Sequence, residues 1–410
     1  MWIKTARVAW AFTAGMKPRA RTAWVAVLVV LAAFFAWRFI RPMNIFVVSE
    51  AFERPIDTGS MGAGLGSVRA ADCGACHRRQ YDEWKTTIHA AAWTDPYYQV
   101  DWMFDGRQQL CNNCHTPLDR QQEARVLGFR DRDKWEPVLA PNPDFDPVLK
   151  QEGVTCAGCH LRKGRILGPS GNPAAPHRVE KFSDANELCL RCHVVQGERW
   201  DTFYRMPPCG TTAEIAAGMG RVDGRSGEYL VRNAAETGCV QCHMPAEAGG
   251  AHAVRRHAWR GGHDPDTVRS ALTASLSVVP AGRSAELVLE NSGTAHFLPT
   301  GTPDRHLTVS LRALDASGRV LRETHSTLER TIMWRPFIVD LWDTRLAPRA
   351  PRRFTLDLPD AARTIEAEVR YHLLAESRRK RIGYQPAEPI SYVVFSERRA
   401  INPEPRRAAP

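Results

Sequence analysis

Cys73-Gly74-Ala75-Cys76-His77 opens a pattern that returns at Cys111 to His115, Cys156 to His160, Cys189 to His193 and Cys239 to His243. With 11 cysteines and 14 histidines among 410 residues, random placement gives about 0.01 matches to C-x-x-C-H. Cysteines separated by two residues stand about one helical turn apart. Their sulfurs can form thioethers with the two vinyl groups on one edge of a haem, and the next histidine is brought under the iron as its proximal ligand. Zinc sites close four ligands per metal and do not require histidine directly after the second cysteine every time. Disulfides and thioredoxin-like redox pairs leave that histidine unexplained as well.

The pattern predicts five covalently bound haem c groups. Their tethers are Cys73, Cys76, Cys111, Cys114, Cys156, Cys159, Cys189, Cys192, Cys239 and Cys242, and the proximal iron ligands are His77, His115, His160, His193 and His243. Ten of the eleven cysteines are consumed, and Cys209 is read as an inert thiol. The chain length leaves room for two to three domains. A formal charge of +10 could suggest nucleic acid, but two propionates on each of five haems add about ten negative charges. The basic balance is no argument for nucleic acid, and no nucleic-acid partner is expected.

Lys4, Arg7, Lys17, Arg19 and Arg21 precede any acidic residue, the first of which is Glu50. Thr22 to Trp37 is uncharged and apolar. Adding Arg38, Phe39 and Ile40 gives about 28 Å of helix against a hydrocarbon core of ~30 Å. A cleaved signal peptide is the competing reading. No small-x-small cleavage site follows directly, since bulky Trp37, Phe39 and Ile40 stand there. An uncleaved single-pass anchor is therefore expected, its basic end in the cytoplasm. The rest of the chain then lies on the periplasmic side of a bacterial inner membrane, where c-type haems are attached.

The expected organisation is a basic tail and anchor over 1–43, a glycine-rich linker over 44–67, a pentahaem domain over 68–267, a β domain over 268–402 and a disordered tail over 403–410. So few residues per haem cannot build a conventional core, so the porphyrins must be the apolar filling, with helices and loops over them and little sheet. Arg78 to Trp93 reads as one helix carrying Trp84 and His89. On such a helix His89 would lie ~18 Å from His77, too far to share an iron, so it should serve a neighbouring haem. A second helix is expected over Ser183 to Val195, with Ser183 as N-cap. His177 falls in a glycine- and proline-rich loop. His252, His257 and His263 follow the fifth motif, and His252 is read as a surface residue.

From Val268 the texture alternates. LTASLSVV, AELVLEN, HLTVSLRALD, VLRETHSTLERT, RRFTLDL, TIEAEVRYHLL and ISYVVFSERR read as about seven strands. That number suits an all-β sandwich, with an immunoglobulin-like topology as first choice. His296 lies between turn residues. His306, His325 and His372 read as ordinary strand side chains.

CGACHRRQYDEWKTTIHA, CNNCHTPL, GVTCAGCH, CVQCHMP, RRHAWRGGH and AHFLPTGTPDRHL resemble the multihaem c-type cytochrome superfamily that includes the tetrahaem electron acceptor of hydroxylamine oxidoreductase. The likeness extends more distantly to that oxidoreductase and to the pentahaem nitrite reductases. The resemblance implies stacked haem pairs with bis-histidine ligation, and it points to His89, His177, His257, His263 and His296 as the five sixth ligands. All five motifs end in histidine, whereas the pentahaem nitrite reductases place a lysine at their catalytic haem. No counterpart of the crosslinking tyrosine of hydroxylamine oxidoreductase is identified.

The leading expectation is an electron-transfer protein without catalytic residues, working with redox partner proteins or the quinol pool. The alternative is a reductase or oxidase of a small nitrogen or sulfur compound at one five-coordinate haem, opened by failure of a distal candidate such as His177 or His296. In a third reading the β domain docks a partner and the haems serve it.

Overall fold

The computed structural model describes residues 17–40, 48, 53–59, 65–170, 176–194, 200–218, 237–247, 254–279 and 283–401. His252 and the chain from 402 onward lie outside the described residues.

An apolar helix spans Pro18–Ile40, and it is long and apolar enough to cross a membrane. Short helices carry the five motifs: Ala70–Gly74, Gln109–His115, Cys156–His160, Glu187–His193 and Cys239–His243. Each ends at or just before the motif histidine, except the first, which ends inside its motif. Two expected helices are shorter than read. Arg78–Trp84 does not continue to Trp93. Thr86 Oγ1 donates to Glu83 O at 2.8 Å and Thr87 Oγ1 to Trp84 O at 2.7 Å, occupying the carbonyls at the helix end. The second helix starts at Glu187 instead of Ser183, because Asp184 Oδ1 accepts from both the backbone and the side-chain nitrogen of Asn186 and bends the chain there.

Sheet in this region is confined to small pieces, the largest a hairpin pairing Ala124–Phe129 with Pro137–Pro141. Within the segment read as a linker, Ile56 is buried with Leu118, Leu149 and Leu161, and Thr58 Oγ1 donates to Asp119 Oδ1 at 2.6 Å. The apolar clusters of the motif-bearing half are small and separate, whereas one cluster of 21 buried residues fills the C-terminal half.

The strands of that half are β1 (Leu272–Val279), β2 (Ser284–Asn291), β3 (His306–Leu314), β4 (Val320–Leu328), β5 (Arg330–Met333), β6 (Ile338–Asp343), β7 (Arg352–Asp357), β8 (Thr364–His372) and β9 (Ser391–Ala400). They form a three-stranded sheet in the order β7-β2-β1 and a four-stranded sheet in the order β4-β3-β8-β9. Period-two alternation buries Ala285, Leu287 and Leu289 of β2, Leu307, Val309 and Leu311 of β3, and Ile365, Ala367 and Val369 of β8. Each large aliphatic so placed is worth about 1.5–3 kcal/mol of transfer free energy.

Two features depart from seven strands. VLRETHSTLERT divides into β4 and β5 around Glu329, and β6 was not anticipated. A third sheet, β5-β6 with Thr202–Phe203, takes its last strand from the motif-bearing half, which pairs in parallel with β6. The two halves are also joined by Arg378, which bridges to Asp101, and by Tyr97 against Tyr384 at 5.7 Å.

His306 and His372 face each other across β3 and β8, with ring centres 4.3 Å apart and nearly parallel planes. Burial, with His306 and Arg370 adding repulsion, lowers the pKa of His372 to about 4 from 6.5. The unfolded chain therefore takes up this proton first, and the stability involved is present above about pH 6.5 and lost as pH falls toward about 4. His372→Gln should flatten the fall of the unfolding midpoint across that window. An unchanged slope in a pH series of denaturant titrations would remove His372 as its source.

Candidate functional site

All ten motif cysteines and all ten histidines named as ligands line one cavity of ≈ 3760 Å³. The first and third motifs meet at Cys73 and Cys156, the second and fourth at Cys114 and Cys192, and the fourth and fifth at Cys189 and Cys239. Cys159 of the third motif in turn neighbours Cys192 of the fourth, so the tethering points form one connected cluster.

An iron between two imidazoles, at about 2.0–2.1 Å per bond and with each nitrogen about 1.2 Å from its ring centre, sets the ring centres about 6.4 Å apart. Four motif histidines have a second histidine at that separation. His77 and His177 are 6.3 Å apart, His193 and His89 6.2 Å, His160 and His257 6.3 Å, and His243 and His296 6.5 Å. His306 and His372, at 4.3 Å, leave no room for an iron.

Several rings are turned by backbone carbonyls, which only accept. Nδ1 of His115 donates to Ala92 O at 2.8 Å, Nδ1 of His160 to Leu167 O at 2.8 Å and Nδ1 of His243 to Arg260 O at 3.2 Å. Nδ1 of His257 and of His296 donate likewise to Arg255 O and Phe297 O, both at 2.9 Å. A proton fixed on Nδ1 leaves the Nε2 lone pair free for a metal. Burial, helped by the neighbouring histidines, lowers the pKa of His89 to about 4 and keeps the ring neutral. Burial also lowers His115, His160, His193, His243, His257 and His263.

The second motif differs. His115 is not one of these four paired rings. Instead the Tyr98 ring lies flat against it, with centres 3.6 Å apart and planes within 7°. The Tyr98 hydroxyl is buried without a hydrogen-bond partner among the described residues. His263 lines the same cavity, with Arg305 and Asp95 as its charged neighbours. Thus the structure brings His89, His177, His257 and His296 each to a motif histidine, while His263 shares the cavity and the neighbour Asp95 with His115.

Sequence reasoning passed over Trp259, which stands edge-on to His89 at 5.2 Å and to His257 at 5.5 Å. Its signal was its place between His257 and His263. Tyr98 carried no such signal. Cys209 is half-buried, and desolvation pushes its thiol up to about 11, in keeping with an unreactive side chain.

Residues 72–132 match the family model described as cytochrome c554 and c-prime. No curated protein matches the sequence. The fold is shared with a penta-haem cytochrome c552 from Thermochromatium tepidum, at TM-score 0.61 and 21% identity over 82% of this chain and 99% of that one. The ApaA protein from Bordetella pertussis also matches, over 31% of this chain and 90% of that one at 13% identity, but its TM-score of 0.16 carries no argument. The matched segment, the shared fold and the cysteine-histidine geometry together support a multihaem c-type cytochrome with covalently bound haem c.

Proposed function

We propose that this chain is a membrane-anchored periplasmic pentahaem cytochrome that passes electrons along its haem groups to or from redox partner proteins or the quinol pool. The carrying observation is the set of four histidine pairs at iron-bridging separation in one cavity. His77 with His177, His193 with His89, His160 with His257 and His243 with His296 would each hold one iron from both faces. Six-coordinate haem iron changes oxidation state with little rearrangement and leaves no place for substrate. The apolar helix Pro18–Ile40 supports the anchor. The strand orders β7-β2-β1 and β4-β3-β8-β9 support an immunoglobulin-like sandwich, with β5 and β6 as an insertion.

The fifth centre favours a second reading at one position. Tyr98 stacks on the His115 ring, and the iron held there would have one free face for a small nitrogen or sulfur compound if His263, in the same cavity, does not close it. Electron paramagnetic resonance of the holoprotein decides between the readings, after its mass has shown five haems per chain. Four low-spin ferric centres are expected, with the whole spectrum indifferent to nitrite and hydroxylamine. A high-spin signal that shifts on adding either compound would replace the carrier reading with the enzyme reading.

A further inference from the structure

The last turn of the apolar helix is locked to the folded body. Arg38, whose side chain is 3% exposed, pairs with Asp201 at 2.9 Å, and its Nε donates to Pro336 O at 2.8 Å. Arg335 donates from the other side to Phe39 O. The Arg38 guanidinium lies 5.5 Å from the ring centres of both Trp200 and Phe337. Phe34 packs against Trp200 at 6.5 Å and Phe337 at 6.4 Å, and Phe203 meets Phe337 at 6.4 Å. Helix end, Trp200, Thr202–Phe203 and the start of β6 therefore move as one unit.

Around this junction large apolar side chains face outward. Trp200 is 60% exposed, Phe203 55%, and Leu341 and Trp342 further along β6 are 47% and 53%. A helix of 23 residues is about 34 Å long, so centred in a hydrocarbon core of ~30 Å its last residues emerge at the headgroup level. Side chains that touch Phe34 and Phe35, five to six residues before the helix end, lie about 8–9 Å below that level, the depth to which interfacial apolar and aromatic groups seat. In water such a patch would be an unpaired apolar surface beside a membrane span.

We infer that Trp200, Phe203, Phe337 and Trp342 form an aromatic shelf seated in the interface of the same bilayer, holding the haem-bearing half against the membrane at a fixed tilt. This rests on the reading of Pro18–Ile40 as a retained membrane span. The buried Arg38–Asp201 pair is the hinge pin of the arrangement. Its guanidinium stays under the rings, so the span and the shelf enter the lipid together. The haem-bearing half is then presented to partners in one orientation, where a slack tether would let it tumble.

The test uses full-length holoprotein in vesicles of phosphatidylethanolamine and phosphatidylglycerol, doped with a phospholipid that carries a diazirine near its headgroup. After irradiation, lipid adducts are expected on peptides covering 200–205 and 335–343 as well as on those of the helix. Trp200→Ser with Phe203→Ser, both at exposed positions, should lower the yield at 335–343 by about tenfold and leave the helix adducts and haem absorbance unchanged. The single variant Trp342→Ser should lower it as well. Adducts confined to the helix would overturn the shelf and leave the anchor standing. A chain that does not float with the vesicles would overturn the anchor itself.

Discussion

Replacing His296 by alanine should convert one low-spin ferric haem of the holoprotein to high spin while the other centres keep their signals. His296 and His243 stand 6.5 Å apart with planes within 14°, and the backbone that presents His296 is fixed from several sides. Asn291 Nδ2 and Thr294 Oγ1 donate to His296 O at 2.7 and 2.6 Å, and the next backbone nitrogen, of Phe297, donates to Glu214 Oε2 at 3.2 Å. A truncated side chain therefore leaves a gap opposite His243, whose partner at iron-bridging separation among the described residues is His296. The companion variant His306→Ala should leave every spin state alone, because its ring partner His372 lies at 4.3 Å, inside the distance two imidazoles need around an iron. Electron paramagnetic resonance reads both variants side by side. Five unchanged centres in the His296 variant would remove that residue from the ligand set and leave His243 without an assigned partner.

The contrast between these two histidines marks where the sequence could and could not be read. The five pentapeptides are local, since spacing alone brings two sulfurs and an imidazole to one haem edge. The partner of each motif histidine is not local. His177 reaches His77, and His257 reaches His160, across long stretches of chain, so no spacing rule encodes them. His263 shows the limit of that: a histidine after two glycines reads as well as His257, and the structure adds that it shares the neighbour Asp95 with His115.

Secondary structure divided in the same way. Strands β2 and β8 alternate strictly, β1, β3 and β7 over most of their length and β9 only in part, and all six were legible. β6 was missed because it owes its existence to β5 and to a parallel pairing with Thr202–Phe203, remote residues whose contribution has no local signature. The overread helix after Trp84 failed for a local reason that propensity understates. Two successive threonines turned their hydroxyls onto the carbonyls of Glu83 and Trp84.

The second large effect concerns what holds the His296 loop. Arg345 Nη1 pairs with Glu214 Oε1 at 2.6 Å, Nη2 with Asp343 Oδ2 at 2.7 Å, and Nη1 also donates to Pro299 O at 3.0 Å. The side chains of Arg345 and Glu214 are 4% and 3% exposed. Burial opposes the guanidinium charge, but Glu214 and Asp343 outweigh it and raise the pKa of Arg345 above its ordinary value. Arg345→Met should cost about 3–5 kcal/mol in guanidinium titrations of the holoprotein, because it strands a buried carboxylate instead of merely deleting an attraction.

Adding Glu214→Gln to Arg345→Met should return part of that loss, since it removes the more deeply buried of the two stranded carboxylates and leaves Asp343, whose side chain is 16% exposed. The two variants also separate stability from ligation. Glu214 and Pro299 flank Phe297, whose own carbonyl turns the His296 ring. The single variant should therefore shift the signal of the haem at His243 before the other centres respond. A loss below about 1 kcal/mol, the scale of an exposed pair, would mean that water reaches Glu214 and that the His296 loop is held by its own hydrogen bonds alone.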